Sequence, residues 1–231
     1  SDGGSAPLEH HEPQLQHDDG AAAGADNAAH DANHAIAHAQ DDNSTAPLHI
    51  GDGIDPATYA KLVSLDNAEL LQYLGEHSRE LLAATQHQGA HEQHGGSGDD
   101  TLVAAHGTTL QEGGAGADTF AYLLDSNDAA SWNEPSRILD FNPQEGDRIV
   151  LAGGEHLKAE VSHDESGQHL HVTDDAGHSR TIDIGAQNGK TLTAEDILSH
   201  VEIRTPQGYS EPAPSVPQTH HLPQDDHSHL I

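Results

Sequence analysis

Between Gly95 and Ala121 the chain divides every nine residues into GGSGDDTLV, AAHGTTLQE and GGAGADTFA. The first and third nonamers share the pattern GGxGxDxΦ, with Φ apolar, and the middle one has lost most of it. Glycine falls at 89, 98, 107 and 116, a nine-residue period that begins ahead of the obvious copies. Such self-similarity constrains the fold more than composition does, because each short unit can bury its apolar residue only by stacking on its neighbours.

A nine-residue unit with paired glycines and an Asp is the pattern of a parallel β-roll that binds calcium. Glycines let the first six residues turn tightly at positive φ and bring carbonyls together. The sixth residue, Asp100 or Asp118, supplies a carboxylate, and the eighth, Leu102 or Phe120, points inward from a short strand. Two nonamers complete one coil, so turns 95–100 and 113–118 stack on one edge. A cation between them would meet Asp100 and Asp118 together with the loop backbone of Gly95, Gly96, Gly98, Asp99, Gly113, Gly114 and Gly116. That all-oxygen shell suits Ca²⁺ better than Mg²⁺, which demands a tight octahedron and keeps its waters. The plainer alternative is a Gly/Asp-rich flexible loop. One copy of the pattern leaves that alternative open, whereas two in 18-residue register with apolar eighth positions argue for the roll. In the middle nonamer Thr109 holds the Asp position, so the opposite edge should bind weakly or differently.

Charge points the same way. The 231 residues carry 39 Asp+Glu against 8 Lys+Arg, a net charge of -31, which leaves no basic footprint for nucleic acid or an anionic membrane. Metal cations are the natural counter-charge. Only 33% of the residues are hydrophobic and 3% aromatic, too few to bury a core over the whole length, so part of the chain is expected to stay solvated. Cysteine is absent, which excludes disulfides and thiolate sites. Methionine is absent even at position 1, so a piece of a longer chain or a processed product is expected, and it is expected to be monomeric. No apolar run approaches the ~18 residues of a membrane span, and no signal peptide opens the sequence.

The predicted class is mainly β: a short calcium-binding parallel β-roll with flanking helices, an antiparallel meander and disordered tails. Residues 1–47, rich in Ala, Asp and His, read as a disordered linker, and 205–231 as a Pro/His-rich flexible tail. The folded part is expected over 48–204. Asp55-Pro56 and the capping-box pair Asp66 and Glu69 place helices within 55–84. The roll is expected over 86–121 and strands over 136–184, beginning with SRILDF and DRIVL. A three-stranded meander follows around the turns Glu165-Ser166-Gly167 and Asp174-Asp175-Ala176-Gly177. Thr193 caps a closing helix over 193–201.

GGSGDDTL and GGAGADTF, followed by SRILDFNPQEGDRIVL, resemble the C-terminal RTX segment of proteins exported by bacterial type I secretion. The meander HLHVTDDAGHSRTIDI, the closing AEDILSHV and the upstream AELLQYLGEHSRELLAA extend the resemblance over roughly residues 50–204. Together they are similar to the type I secretion target domain that ends giant RTX adhesins of biofilm-forming Gram-negative bacteria. The resemblance implies one to three calcium ions, with Asp140 in ILDF and Asp147 in GDRI completing the last calcium turns. Asp125 is a weaker candidate, better read as a solvated loop carboxylate. It also implies calcium-dependent folding after export, the type I secretion machinery as partner, and a secreted, bacterial cell-surface location. The sequence departs from the family in having few intact repeats and a Pro/His-rich end.

The 22 histidines raise a second possibility. His30, His34 and His38 would share a helix face and could hold Zn²⁺ or Ni²⁺, although a solvated polar linker is the simpler reading. No catalytic signature emerges. His91-Glu92-Gln93-His94 is one residue short of HExxH, and no G-x-S-x-G, P-loop or dinucleotide fingerprint is present. The segment is therefore read as a non-enzymatic module. The alternatives are the C-terminal RTX module of a secreted hydrolase and a His-rich transition-metal-binding protein.

Overall fold

In the computed structural model, residues 48–210 are described, and they fall within one compact unit. The expectations for 1–47 and for the tail beyond 210, among them the histidines at 30, 34 and 38, lie outside the described residues.

The chain begins with β1 (Leu48–His49), then α1 (Pro56–Ser64) and α2 (Asn67–Thr85). Asp55 caps α1 by accepting from the Thr58 N–H at 3.0 Å, with Pro56 in the first turn. Asp66 and Glu69 form the reciprocal capping box of α2 at 2.8 and 3.2 Å. From there successive strands alternate between two sheets: β2 (His91–Ser97), β3 (Thr101–Ala104), β4 (Thr108–Ala115), β5 (Thr119–Leu123), β6 (Ser136–Phe141) and β7 (Arg148–Ala152). The meander follows as β8 (Lys158–Asp164), β9 (Gly167–Thr173) and β10 (Ser179–Ala186), then α3 (Ala194–Leu198), β11 (Val201–Thr205) and β12 (Gly208–Ser210).

One sheet runs β1-β3-β5-β7-β11-β12 and the other β2-β4-β6-β10-β9-β8. Pairings are parallel through β11 in the first sheet and through β10 in the second, and antiparallel only at β11–β12 and within the meander. The result is a mainly β, roll-like fold, as the repeat predicts. Register follows the repeat: Thr101 pairs with Thr119 and Leu102 with Phe120, and Gly96 pairs with Gly114.

Period-two alternation sorts the first sheet's side chains into two cores. Leu102, Phe120, Tyr122, Ile149 and Leu151 face the second sheet and meet Ile138, Leu170, Val172 and Ile182. Val103, Ala121, Leu123 and Val150 face the other way, onto Leu70, Leu71, Leu74, Leu81 and Leu82 of α2. The first sheet is thus covered on both faces, which is the usual condition of a parallel sheet.

Three expectations need revision. SRILDF and DRIVL are not strands beyond the roll but its continuation, pairing parallel with β4 and β5. The closing helix stops at Leu198, where the His200 Nδ1 meets the Asp196 carbonyl at 2.8 Å. Val201 and Ile203 are buried while Glu202 and Arg204 are less so, a period of two that makes this segment a strand. β12 then pairs with it, inside the stretch read as tail. Among the described residues no helix is long and apolar enough to cross a membrane.

Candidate metal centre

The turns 95–100, 113–118 and 140–147 each link a strand of the second sheet to one of the first, so they stack on one edge of the roll. They bring together every predicted calcium residue: Gly95, Gly96, Gly98, Asp99 and Asp100 from the first, Gly113, Gly114, Gly116 and Asp118 from the second, Asp140 and Asp147 from the third. Asp100, Asp118 and Asp147 each immediately precede or open the approach to a strand of the first sheet, and each is buried.

These carboxylates form a ladder with the backbone. The Asp100 N–H donates to Asp118 Oδ1 at 2.8 Å, and the Asp118 N–H donates to Asp147 Oδ1 at 2.9 Å. The Asn142 N–H donates to Asp147 Oδ2 at 2.8 Å. The sequence separations are 18 and 29 residues, so the third coil keeps its place in the ladder despite its longer path. Asp99 ties the first two turns by accepting from the Ala117 N–H at 2.8 Å. Asp140 uses both oxygens on the second turn, accepting from the Gly113 and Gly114 N–H groups at 2.9 and 2.7 Å.

Glycine is required where the turns touch. Gly114 has φ +99°, and a Cβ there would run into the carbonyl oxygen of Gly96. A Cβ on Gly113 would run into Asp118 Oδ2, and one on Gly95 would lie 2.6 Å from Asp100 Oδ2. Both of these outer carboxylate oxygens are buried, and neither has a hydrogen-bond partner. A buried anionic oxygen without a donor is costly unless a cation meets it. Burial raises Asp118 to about 6, with repulsion from Asp100, Asp140 and Asp99 adding to it against the backbone bond. Burial likewise raises Asp147 to about 7, reinforced by Asp118 and Asp140 and opposed by the two backbone bonds it accepts. The residues present fit a hard, oxygen-seeking cation. Among the described residues no three His, Asp or Glu side chains converge as a metal-binding group, so such a cation would draw its remaining oxygens from the glycine backbone.

No protein-family model matches the chain, and no curated protein does. Among solved structures, the chain is similar to a subunit of the mannuronan C5-epimerase of Azotobacter vinelandii, at 27% identity and a TM-score of 0.29. The match spans 41% of this chain and 61% of that subunit. A superposition this loose establishes neither the fold nor the function of the chain.

Three participants at this edge have no sequence signature. His49 Nε2 lies 3.4 Å from Asp100 Oδ1 at the open end of the ladder. Gln187 donates to the Gly114 carbonyl at 3.0 Å, and its own oxygen accepts from Asn142 Nδ2 at 2.7 Å. Asn142 and Gln187 lie 45 residues apart, so no local spacing could reveal the pair. Asp125 lies away from the ladder and is not solvated as expected. It is buried, and Arg79 donates to it at 3.0 Å. His91 and His94 fall on a strand, with His94 Nδ1 2.8 Å from Glu112 Oε2.

Proposed function

We propose that this chain is a calcium-folded module whose cation site lies between the turns 95–100 and 113–118. The observation that carries the reading is the pair of buried, donorless oxygens, Asp100 Oδ2 and Asp118 Oδ2, one coil apart. A bound Ca²⁺ supplies the positive charge that these neighbouring donorless oxygens otherwise lack. The chain's own part is to hold them: Asp99, Asp118 and Asp147 fix the spacing of successive turns through backbone N–H groups, and the glycines let the turns approach.

By its resemblance to the RTX type I secretion target domain, the module supports export and extracellular folding of a large bacterial surface adhesin. At low calcium the clustered carboxylates repel, which keeps the segment open enough to thread an exporter. Outside the cell, sites of extracellular-module affinity, roughly 10⁻⁴–10⁻³ M, would fill and drive folding. A calcium titration of the full chain followed by circular dichroism tests the metal reading. A cooperative gain of β-structure, reversed by chelator, is expected, and identical spectra with and without calcium refute it. Export of the chain by a type I system in a Gram-negative host tests the secretion role separately.

A further inference from the structure

The edge opposite the carboxylate ladder lacks its Asp, with Thr109 in that position, yet it is closed. His106, in the turn between β3 and β4, is buried, with 6% of its side chain exposed. Its Nδ1 lies 2.9 Å from Glu134 Oε1 and its Nε2 2.8 Å from Asp128 Oδ2. Both carboxylates belong to the connection between β5 and β6, one coil further along. Glu134 Oε1 also accepts from the Gly107 N–H at 3.2 Å. A neutral imidazole has one N–H and would turn a lone pair toward the second carboxylate, whereas an imidazolium donates to both.

We propose that His106 is a built-in proton-binding site that closes this edge in place of a metal ion, its imidazolium clasped between Asp128 and Glu134. The clasp ties the β3–β4 turn to the β5–β6 connection. A transition metal does not fit here, because the two carboxylates sit against opposite nitrogens of the ring and cannot share one ion at either. From α2, the Thr85 hydroxyl accepts from the His106 backbone N–H at 3.3 Å. From β10, the buried Arg180 donates to the Ser131 carbonyl at 2.8 Å and to Ser136 Oγ at 2.6 Å. It acts electrostatically on Glu134. In the same connection, Arg79 holds Asp125 at 3.0 Å. Arg79 and His106 therefore answer Asp125, Asp128 and one oxygen of Glu134, whose other oxygen is buried without a donor. Burial pulls His106 down, but hydrogen bonds and charge from Glu134 and Asp128 outweigh it and raise it above the ordinary 6.5. With its folded value raised, His106 contributes stability that is full below 6.5 and is lost as pH rises through the folded value.

The test is ¹⁵N NMR of the histidine rings in the full chain, in calcium-containing buffer, with His106 assigned by the signal missing from His106→Gln or displaced in Glu134→Gln. Both ring nitrogens of His106 should be protonated at about pH 6.5, and a neutral tautomer there overturns the proposal. A second readout compares the melting temperature of the chain with that of the double variant Asp128→Asn, Glu134→Gln, which keeps shape but removes the charge. The variant should melt about 3–6 °C lower at about pH 6, with the gap closing or reversing toward about pH 9. A gap that does not change with pH overturns the proposal. Because ring protonation is read directly, failure of the calcium site leaves a different signature from failure of the clasp.

Discussion

At Asp118 two demands meet in one side chain. Its Oδ1 is needed as an acceptor for the Asp100 N–H, and its Oδ2 is left buried without a donor. Asp118→Asn separates them, because the amide oxygen can keep the first bond while the charge is removed. The variant should lose calcium affinity by about tenfold or more, a change of ~1.4 kcal/mol, in a titration calorimeter. Without calcium its far-ultraviolet dichroism should show no less β-structure than the parent's, since the repulsion from Asp100 and Asp140 is relieved. The raised acidities give the pH dependence. Carboxyls at about 6 and 7 in the fold, against 3.8 unfolded, stabilise the calcium-free fold at acid pH. That contribution is lost as pH rises from 3.8 through 6 and 7. In chelator, far-ultraviolet dichroism should therefore show more β-structure near pH 5 than near pH 8. Calcium affinity should rise over the same window, because the ion competes with protons for the same oxygens. Gly114→Ala acts through sterics instead. Its φ of +99° and the approach of the Gly96 carbonyl predict a loss of about 1–3 kcal/mol by urea denaturation in calcium.

Among the elements, those with local chemistry were legible in the sequence. The caps at Asp55 and Asp66 are short-range hydrogen bonds written into neighbouring residues, and the nonamer spacing set both the strand register and the meeting of the Gly/Asp turns. What escaped depends on pairing between distant segments. β11 reads as the end of a helix until β7 offers it a parallel partner, and β2 has almost no apolar residue to announce it. In β2 and β4 the inward positions are glutamines: Gln111 Nε2 donates to Gln93 Oε1 at 2.9 Å and to the Leu102 carbonyl at 3.0 Å. Gln93 in turn donates to the Val103 carbonyl at 2.9 Å. This buried amide stack, 18 residues apart, is a second consequence of the repeat that hydrophobic patterning cannot detect. Gln111→Leu leaves the Gln93 oxygen without that donor and should cost about 1–3 kcal/mol in urea denaturation. The double variant Gln93→Leu, Gln111→Leu should lose less than the sum of the two single changes, because no amide is then left half-satisfied.

For the whole molecule, the question is whether its two edges fold together. The ladder of Asp100, Asp118 and Asp147 lies on one edge, and on the other the β5–β6 connection is held by Arg79, His106 and Arg180. Phe120, Tyr122 and Ile149 span the core between them and pack against Leu170, Val172 and Ile182 of the meander, so neither edge has a core of its own. The chain contains one tryptophan, and it reports from the edge away from the ladder. Trp132 is 2% exposed, its Nε1 donates to the Asp125 carbonyl at 3.1 Å, and its ring stacks on His178 at 5.4 Å. If the shared core couples the edges, calcium bound at the ladder must also order Trp132. Its fluorescence should then blue-shift with the same calcium midpoint as the far-ultraviolet dichroism, as a two-state transition requires. A tryptophan already buried in chelator, with only the dichroism responding to calcium, would show that the clasped edge folds by itself and that coupling through the core is wrong.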